Sequence, residues 1–306
     1  MPERDLLMKA LGAAAVAAAL ALVLCAQPWR APSRSRASLG WVLGIGLGYY
    51  LGCWLLGLWP HWPPRDCADR FLVVVFPAVL VAELIAGLPG APGWLGIALR
   101  LLVAAGTAPV LLYESQYLAA ASTRAWSPGL AWLILGGLAA ALALLWGLVA
   151  LLARRANGSV MPAVLACVCG GAGVTLMLSS YATGGQLGLP LAAVLAGGAL
   201  ATLASAGLRG TGSWVGPAVV GLFSLLIIGH FFGELTATHA AVLFAAPLLA
   251  WLPELPYARR ALPWLKELAR IVLVTAVVAG VAFQAFRVFQ EESKDSSGYE
   301  QDMNLQ

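Results

Sequence analysis

The stretch FLVVVFPAVLVAELIAGLPGAPGWLGIALRLLVAAGTAPVLLY, Phe71–Tyr113, decides the fold. It holds two apolar runs, Phe71–Leu88 and Trp94–Tyr113, parted by Leu88-Pro89-Gly90-Ala91-Pro92-Gly93. Each run approaches the roughly 20 residues that an α-helix needs to cross the hydrocarbon core of a bilayer. Proline removes a backbone donor and glycine admits left-handed backbone, so the segment between the runs reads as a tight reversal. The pattern predicts a transmembrane hairpin. Glu83 stands six residues before Pro89, and Arg100 stands eight after Pro92. At about 1.5 Å per residue they lie roughly 9 and 12 Å from the turn, at similar depth. A single charge is costly there, so the two are expected to pair. Such a pair can lock the hairpin, or it can serve as an anion site at Arg100 with a proton-labile Glu83.

Outward from the hairpin the same signal repeats. Apolar runs cover Leu6–Ala26, Leu39–Trp59, Leu130–Ala153, Val160–Ser179, Leu187–Gly207, Trp214–Phe232, Ala240–Leu252 and Leu268–Phe289. The ninth is short and Pro247 interrupts it. Of 306 residues, 61% are hydrophobic and 10% charged. Soluble domains carry about 25% charge, so lipid must solvate most of this surface. The expected fold is all-α, a polytopic integral membrane bundle of about ten transmembrane helices. Residues 1–289 form its single domain, and 290–306 form a polar, disordered tail. Leu262–Arg270 reads as a short interfacial helix leading into the last span.

The net charge of +4 is not a nucleic-acid signal, because the basic residues sit in short loops. Leu24 and Cys25 spoil a cleavage site after the first run, which is therefore expected to be retained. Arg30, Arg34 and Arg36 follow it, and Arg154, Arg155, Arg209, Arg259, Arg260 and Lys266 fall on the same side. The other side holds Arg4, Lys9, Arg65, Arg70, Arg124, Arg287 and Lys294. This bias predicts both termini outside. Fifteen arginines against three lysines, with abundant Ala and Gly, suggest a GC-rich bacterial genome and hence the bacterial inner membrane.

Gly40, Gly44, Gly48 and Gly52 recur every fourth residue along the second run. A helix places them in one groove that a neighbouring backbone can enter, a glycine zipper. Its partner is expected within the chain or, as an alternative, in a homo- or hetero-oligomer. His61, His230 and His239 all fall at the outer face under a ten-span topology. His230 and Glu234 share a helical face if the helix runs on, so His230, Glu234 and His239 form a candidate metal set. Ser179–Gln186 is uncharged yet rich in hydroxyl and amide groups. It reads as a connecting turn, or as a cavity lining that adds Gln186 and the nearby Glu114 to a binding set with Glu83 and Arg100. Trp62, Tyr117 and Trp126 fit an aromatic belt. Five scattered cysteines give no disulfide or zinc spacing, and Cys167 and Cys169 would lie about 200° apart on a helix.

Nucleotide, serine-hydrolase, metalloprotease and haem motifs are absent from the sequence, and no cofactor is implied. Length and span count resemble the drug/metabolite transporter superfamily, built from two five-helix halves; the resemblance covers the outline only. The expected function is a small-molecule permease or carrier in the lipid bilayer. The alternatives are a non-catalytic membrane subunit packing through the glycine helix, and then an intramembrane enzyme.

Overall fold

The computed structural model describes residues 4–26, 34–119, 122, 125–156, 158–204, 212–255 and 262–303. Arg30, Arg124, Arg209, Arg259 and Arg260, which entered the charge count above, lie outside the described residues. Among those described, all regular structure is helical. The long helices are α1 (Arg4–Ala26), α2 (Arg34–Leu55), α5 (Gly93–Leu111), α6 (Pro128–Ala153), α7 (Val160–Leu178), α8 (Ala182–Ala204), α9 (Val215–Phe232) and α11 (Pro263–Met303). All eight are long and apolar enough to cross a membrane. The protein is an all-α helical bundle.

The third and ninth apolar runs are built differently. The third is a composite of α3 (Cys67–Arg70), a π-helical turn over Phe71–Val75, and α4 (Phe76–Ala86). Pro77 has no N–H to offer the Val73 carbonyl and its ring crowds that oxygen, so the turn before it widens. The Tyr50 hydroxyl of α2 donates to the freed Leu72 carbonyl at 2.6 Å. The composite still runs the full length of α5, because Arg70 at its start meets Glu114 and Glu83 near its end meets Arg100.

The ninth run joins α10 (Ala237–Ala245) to a 3-10 helix over Ala246–Glu254 that contains Pro247 and Pro253. Nine α residues rise about 13 Å and nine 3-10 residues about 18 Å. Together they reach about 31 Å, enough for the hydrocarbon core despite the short apolar run. Contacts with α11 at two levels show that the segment runs alongside that helix. His239 lies 3.3 Å from Gln284 of α11, and Arg270 of α11 donates to the Ala250 carbonyl at 3.3 Å.

Helix α9 is the axis of the bundle. It is apolar on every side, and Val215–Gly229 is buried without a break. A helix with no polar face must be covered all round, and α4, α5, α6, α7, α8 and α10 pack against it. On the outer surface, α1, α5, α6 and α11 present exposed Leu20, Leu102, Trp132, Leu133, Phe283 and other large apolar side chains. Such a surface is stable only in lipid.

Helices α1, α2 and α8 form one tight group. Gly44, Gly48 and Gly52 are buried in it, as is Gly40. A Cβ on Gly44 would lie 2.9 Å from the Ala18 carbonyl oxygen, and one on Gly48 2.6 Å from that of Ala14. At Gly52 it would meet Pro190 of α8 at 2.9 Å and Ala14 at 3.0 Å. The groove is filled by this chain's own α1 and α8, so these three glycines offer no open stripe to a second subunit.

Two local expectations are corrected. Leu262–Arg270 is not a separate interfacial helix: Pro263 is the first residue of α11, which runs on unbroken. Helix α11 also continues past Gln290, as far as Met303. Glu, Gln and Lys are good helix formers, and a helix already nucleated in the membrane extends into them residue by residue. The Ser179–Gln186 connection is shorter than its composition suggests, since α8 starts at Ala182. Gly185 makes this early start workable: a Cβ there would lie 2.5 Å from the Gly173 carbonyl oxygen and from Met177 Cγ of α7.

Candidate functional site

The site grows from the turn between α4 and α5. Gly87 closes α4 by donating to the Glu83 carbonyl at 3.0 Å. Gly90 adopts φ +88°, a backbone that L side chains rarely hold, and Pro92 caps α5 in extended conformation. The reversal sets the two helices side by side with Glu83 opposite Arg100. Arg100 Nε donates to Glu83 Oε1 at 2.8 Å and Nη2 donates to Oε2 at 2.9 Å. This is a two-pronged fork, the strongest geometry for a guanidinium and a carboxylate.

Burial is asymmetric. Glu83 is 1% exposed, whereas the Arg100 side chain is 30% exposed. Two apolar elements form the pocket around the carboxylate. Gly216 of α9 leaves the space that Glu83 occupies, for a Cβ there would lie 2.7 Å from Oε1. Trp146 of α6 lies under the Arg100 guanidinium, 5.9 Å from the ring centroid, and itself is buried.

A cavity of about 710 Å³ opens beside the pair. Ser35 and Ser38 of α2, Ser213 before α9 and Arg154 after α6 line it together with Glu83 and Arg100. Its rim is the Leu88–Gly93 turn, where Leu88 is exposed. Ser213 reaches the Ser38 carbonyl at 3.5 Å and ties the α2 and α9 ends together. Among the described lining residues the charged groups are Glu83, Arg100 and Arg154, one acid against two bases. Deeper in, towards the opposite face, Val79, Ala104, Leu142, Leu145 and Val219 are all buried.

The other expected binding residues lie elsewhere. Glu114 sits at the far end of α5, fourteen residues and about 21 Å along from Arg100. There it accepts from Arg70 Nη2 at 3.1 Å, while Arg70 also donates to the Tyr113 carbonyl and stacks 5.4 Å over the Tyr113 ring. Gln186, in the second turn of α8, is not part of the cavity lining. The binding set thus divides into a pair at the cavity and two residues outside it.

The His230, Glu234 and His239 set does not assemble. Helix α9 stops at Phe232 because Gly233 turns extended, so Glu234 leaves the His230 face. His230 Nδ1 engages the Leu235 carbonyl at 2.9 Å, and His239 Nε2 faces Gln284. Among the described residues no three His, Cys, Asp or Glu are placed to hold a metal ion. His61 belongs to a folded loop in which the Asp69 carboxylate accepts from the backbone N–H of His61 at 3.0 Å and of Arg65 at 3.1 Å. On that face Cys67 Sγ lies 3.7 Å from the Tyr181 hydroxyl. Burial pushes the Tyr181 hydroxyl up, so it remains a neutral phenol at physiological pH.

Four residues of the site carry weaker signals in the sequence. Arg154 counts there only as a loop charge. Ser38 and Ser213 are small polar residues beside apolar runs. Trp146 is one apolar residue among many in its run. Gly216 has no signal at all, since its role is a gap on a different helix. Comparison with family models, with curated proteins and with solved structures finds no match to this chain.

Proposed function

We propose that this chain is a small-molecule permease or carrier, with the Glu83–Arg100 cavity as its solute site. The observation that carries the reading is the cavity itself: a forked charge pair, its Glu83 buried, beside about 710 Å³ of space within the bundle. That volume falls in the range of small-molecule sites. A pair serving only as a lock gains nothing from an open cavity beside it. The alternative of a non-catalytic subunit loses its surface, since the glycine groove is filled from within the chain.

The membrane is proposed to be the bacterial cytoplasmic membrane, with both termini outside. The Arg154 face, and the cavity mouth with it, then looks into the cytoplasm. Ser213→Cys in a cysteine-free background tests both claims when an impermeant thiol reagent is applied from either side, with Ser159→Cys as the side marker. Ser159→Cys should react only from the cytoplasm. Ser213→Cys should react from the cytoplasm quickly and from outside more slowly, as the site alternates. Reaction of Ser213→Cys from one side alone, under every condition, contradicts the carrier. External labelling of Ser159→Cys contradicts the orientation.

A further inference from the structure

We infer that the cavity binds a small organic carboxylate, and that one proton enters on Glu83 each time it does. The inference deepens the carrier reading, but its binding step stands on the site alone.

The ligand class follows from the fork. Arg100 Nε and Nη2 already hold two carboxylate oxygens at 2.8 and 2.9 Å. A planar guanidinium in this pose recognises two coplanar oxygens and discriminates little between one carboxylate and another. An incoming carboxylate therefore fits the fork that Glu83 fills. Arg154 is a poorer anchor: it is exposed, and a hydrated charge contributes little to an ion pair. Arg100 is partly desolvated and backed by the Trp146 ring, which makes it the stronger point of attachment. The hydroxyls of Ser35, Ser38 and Ser213 suit a hydroxyl or other polar group on the rest of the ligand.

The proton follows from what happens to Glu83. Arg100 of α5 is its cation. The other groups around it are Trp146 of α6, Gly216 of α9 and, across the cavity, Ser38, Ser213 and Arg154. Once displaced from the fork, a carboxylate that is 1% exposed between an indole and a glycine backbone has, among the described residues, no second cation paired with it. An unpaired buried carboxylate takes a proton instead of keeping its charge. The balance closes. Before binding, the lining carries two guanidinium charges and one carboxylate. Afterwards it carries two guanidinium charges, one ligand carboxylate and a neutral Glu83 whose proton comes from water at the mouth. Ligand anion and proton enter as a neutral sum, so the bundle takes up no net charge.

Lactate, a small carboxylate with one hydroxyl, is the probe. Full-length protein in nanodiscs is titrated with labelled lactate from about pH 6 to about pH 8, and proton uptake is followed with an indicator dye in weak buffer. One proton should be taken up per lactate bound, and the apparent Kd should rise about tenfold per pH unit wherever free Glu83 is ionised. Glu83→Gln should bind lactate with a pH-independent Kd and no proton uptake. Arg100→Gln should not bind. If either variant fails to fold, the wild-type proton count still decides. No lactate binding to the wild type overturns the inference. So does pH-independent binding without proton uptake, which would place the ligand on Arg154 beside an intact pair. Proton-linked binding without lactate-driven proton entry into proteoliposomes leaves this site standing and defeats the carrier reading.

Discussion

At Gly216 one hydrogen stands where any other residue would push into the site. A Cβ there would lie 2.9 Å from Glu83 Cγ and 2.5 Å from Trp146 Cζ2, so Gly216→Ala forces the carboxylate or the indole to move. Overpacking of this kind costs about 1–3 kcal/mol. Thermal melting in nanodiscs should show that loss. Gly106→Ala, on α5 with open space around it, should melt like wild type or slightly above. Equal behaviour of the two variants would contradict the packing of Glu83 against α9. The Glu83–Arg100 pair is legible in the sequence because one turn fixes both depths by local arithmetic. Arg70 and Glu114 escape that arithmetic. Arg70 reads as a loop charge, although α3 carries it into the bundle where it is 7% exposed. Arg270 escapes in the same way: it is 1% exposed and holds Glu254 and Glu267, yet it ends a run that reads as interfacial.

At the scale of the helix, the glycine repeat of α2 shows what periodicity can and cannot tell. A four-residue repeat marks a face on which backbones can approach, and that much is local. Which helix fills the face depends on the whole bundle, and the structure supplies α1 and α8. Gly48→Leu sets a branched side chain where even a Cβ would be 2.6 Å from the Ala14 carbonyl oxygen and 2.7 Å from Val194 Cγ1. The backbone cannot yield cheaply there, so a loss of about 1–3 kcal/mol or more is expected, read as a lower melting temperature. Leu47→Ala, at a position 62% exposed to lipid, is the control and should change little. A wild-type melt for Gly48→Leu would contradict the packing of α1 against α2. The contact between α7 and α8 is announced less plainly, by a shorter spacing of small residues at Gly184, Gly188 and Ala192. A Cβ on Gly188 would lie 2.9 Å from Gly173 Cα, but the two glycines lie on different helices and only their register brings them together. The composite third and ninth crossings are half legible. Pro77, Pro247 and Pro253 announce a disturbance, but whether a proline yields a kink, a π turn or a 3-10 stretch depends on the neighbours that take up the freed carbonyls.

Across the whole molecule, a largely apolar bundle wraps α9 and holds a charged cavity at one end. Composition makes the bundle legible, because so little charge leaves lipid as the only solvent for the outer helices. The cavity is not legible in that way. It forms where α2, α4, α5, α6 and α9 end at a common level, and chain order alone does not bring those ends together. Both the fold of the α4–α5 hairpin and the chemistry of the site depend on Glu83 and Arg100 acting as one unit inside the bilayer. Removing either partner leaves a charge without its counter-ion, whereas removing both leaves none. The decisive measurement is a double-mutant cycle on thermal stability in nanodiscs, comparing wild type, Glu83→Gln, Arg100→Gln and the double variant. A coupled pair predicts that the double variant loses less than the sum of the single losses, by about 0.5–3 kcal/mol. Losses that simply add would mean that the two side chains do not interact, and would contradict the account.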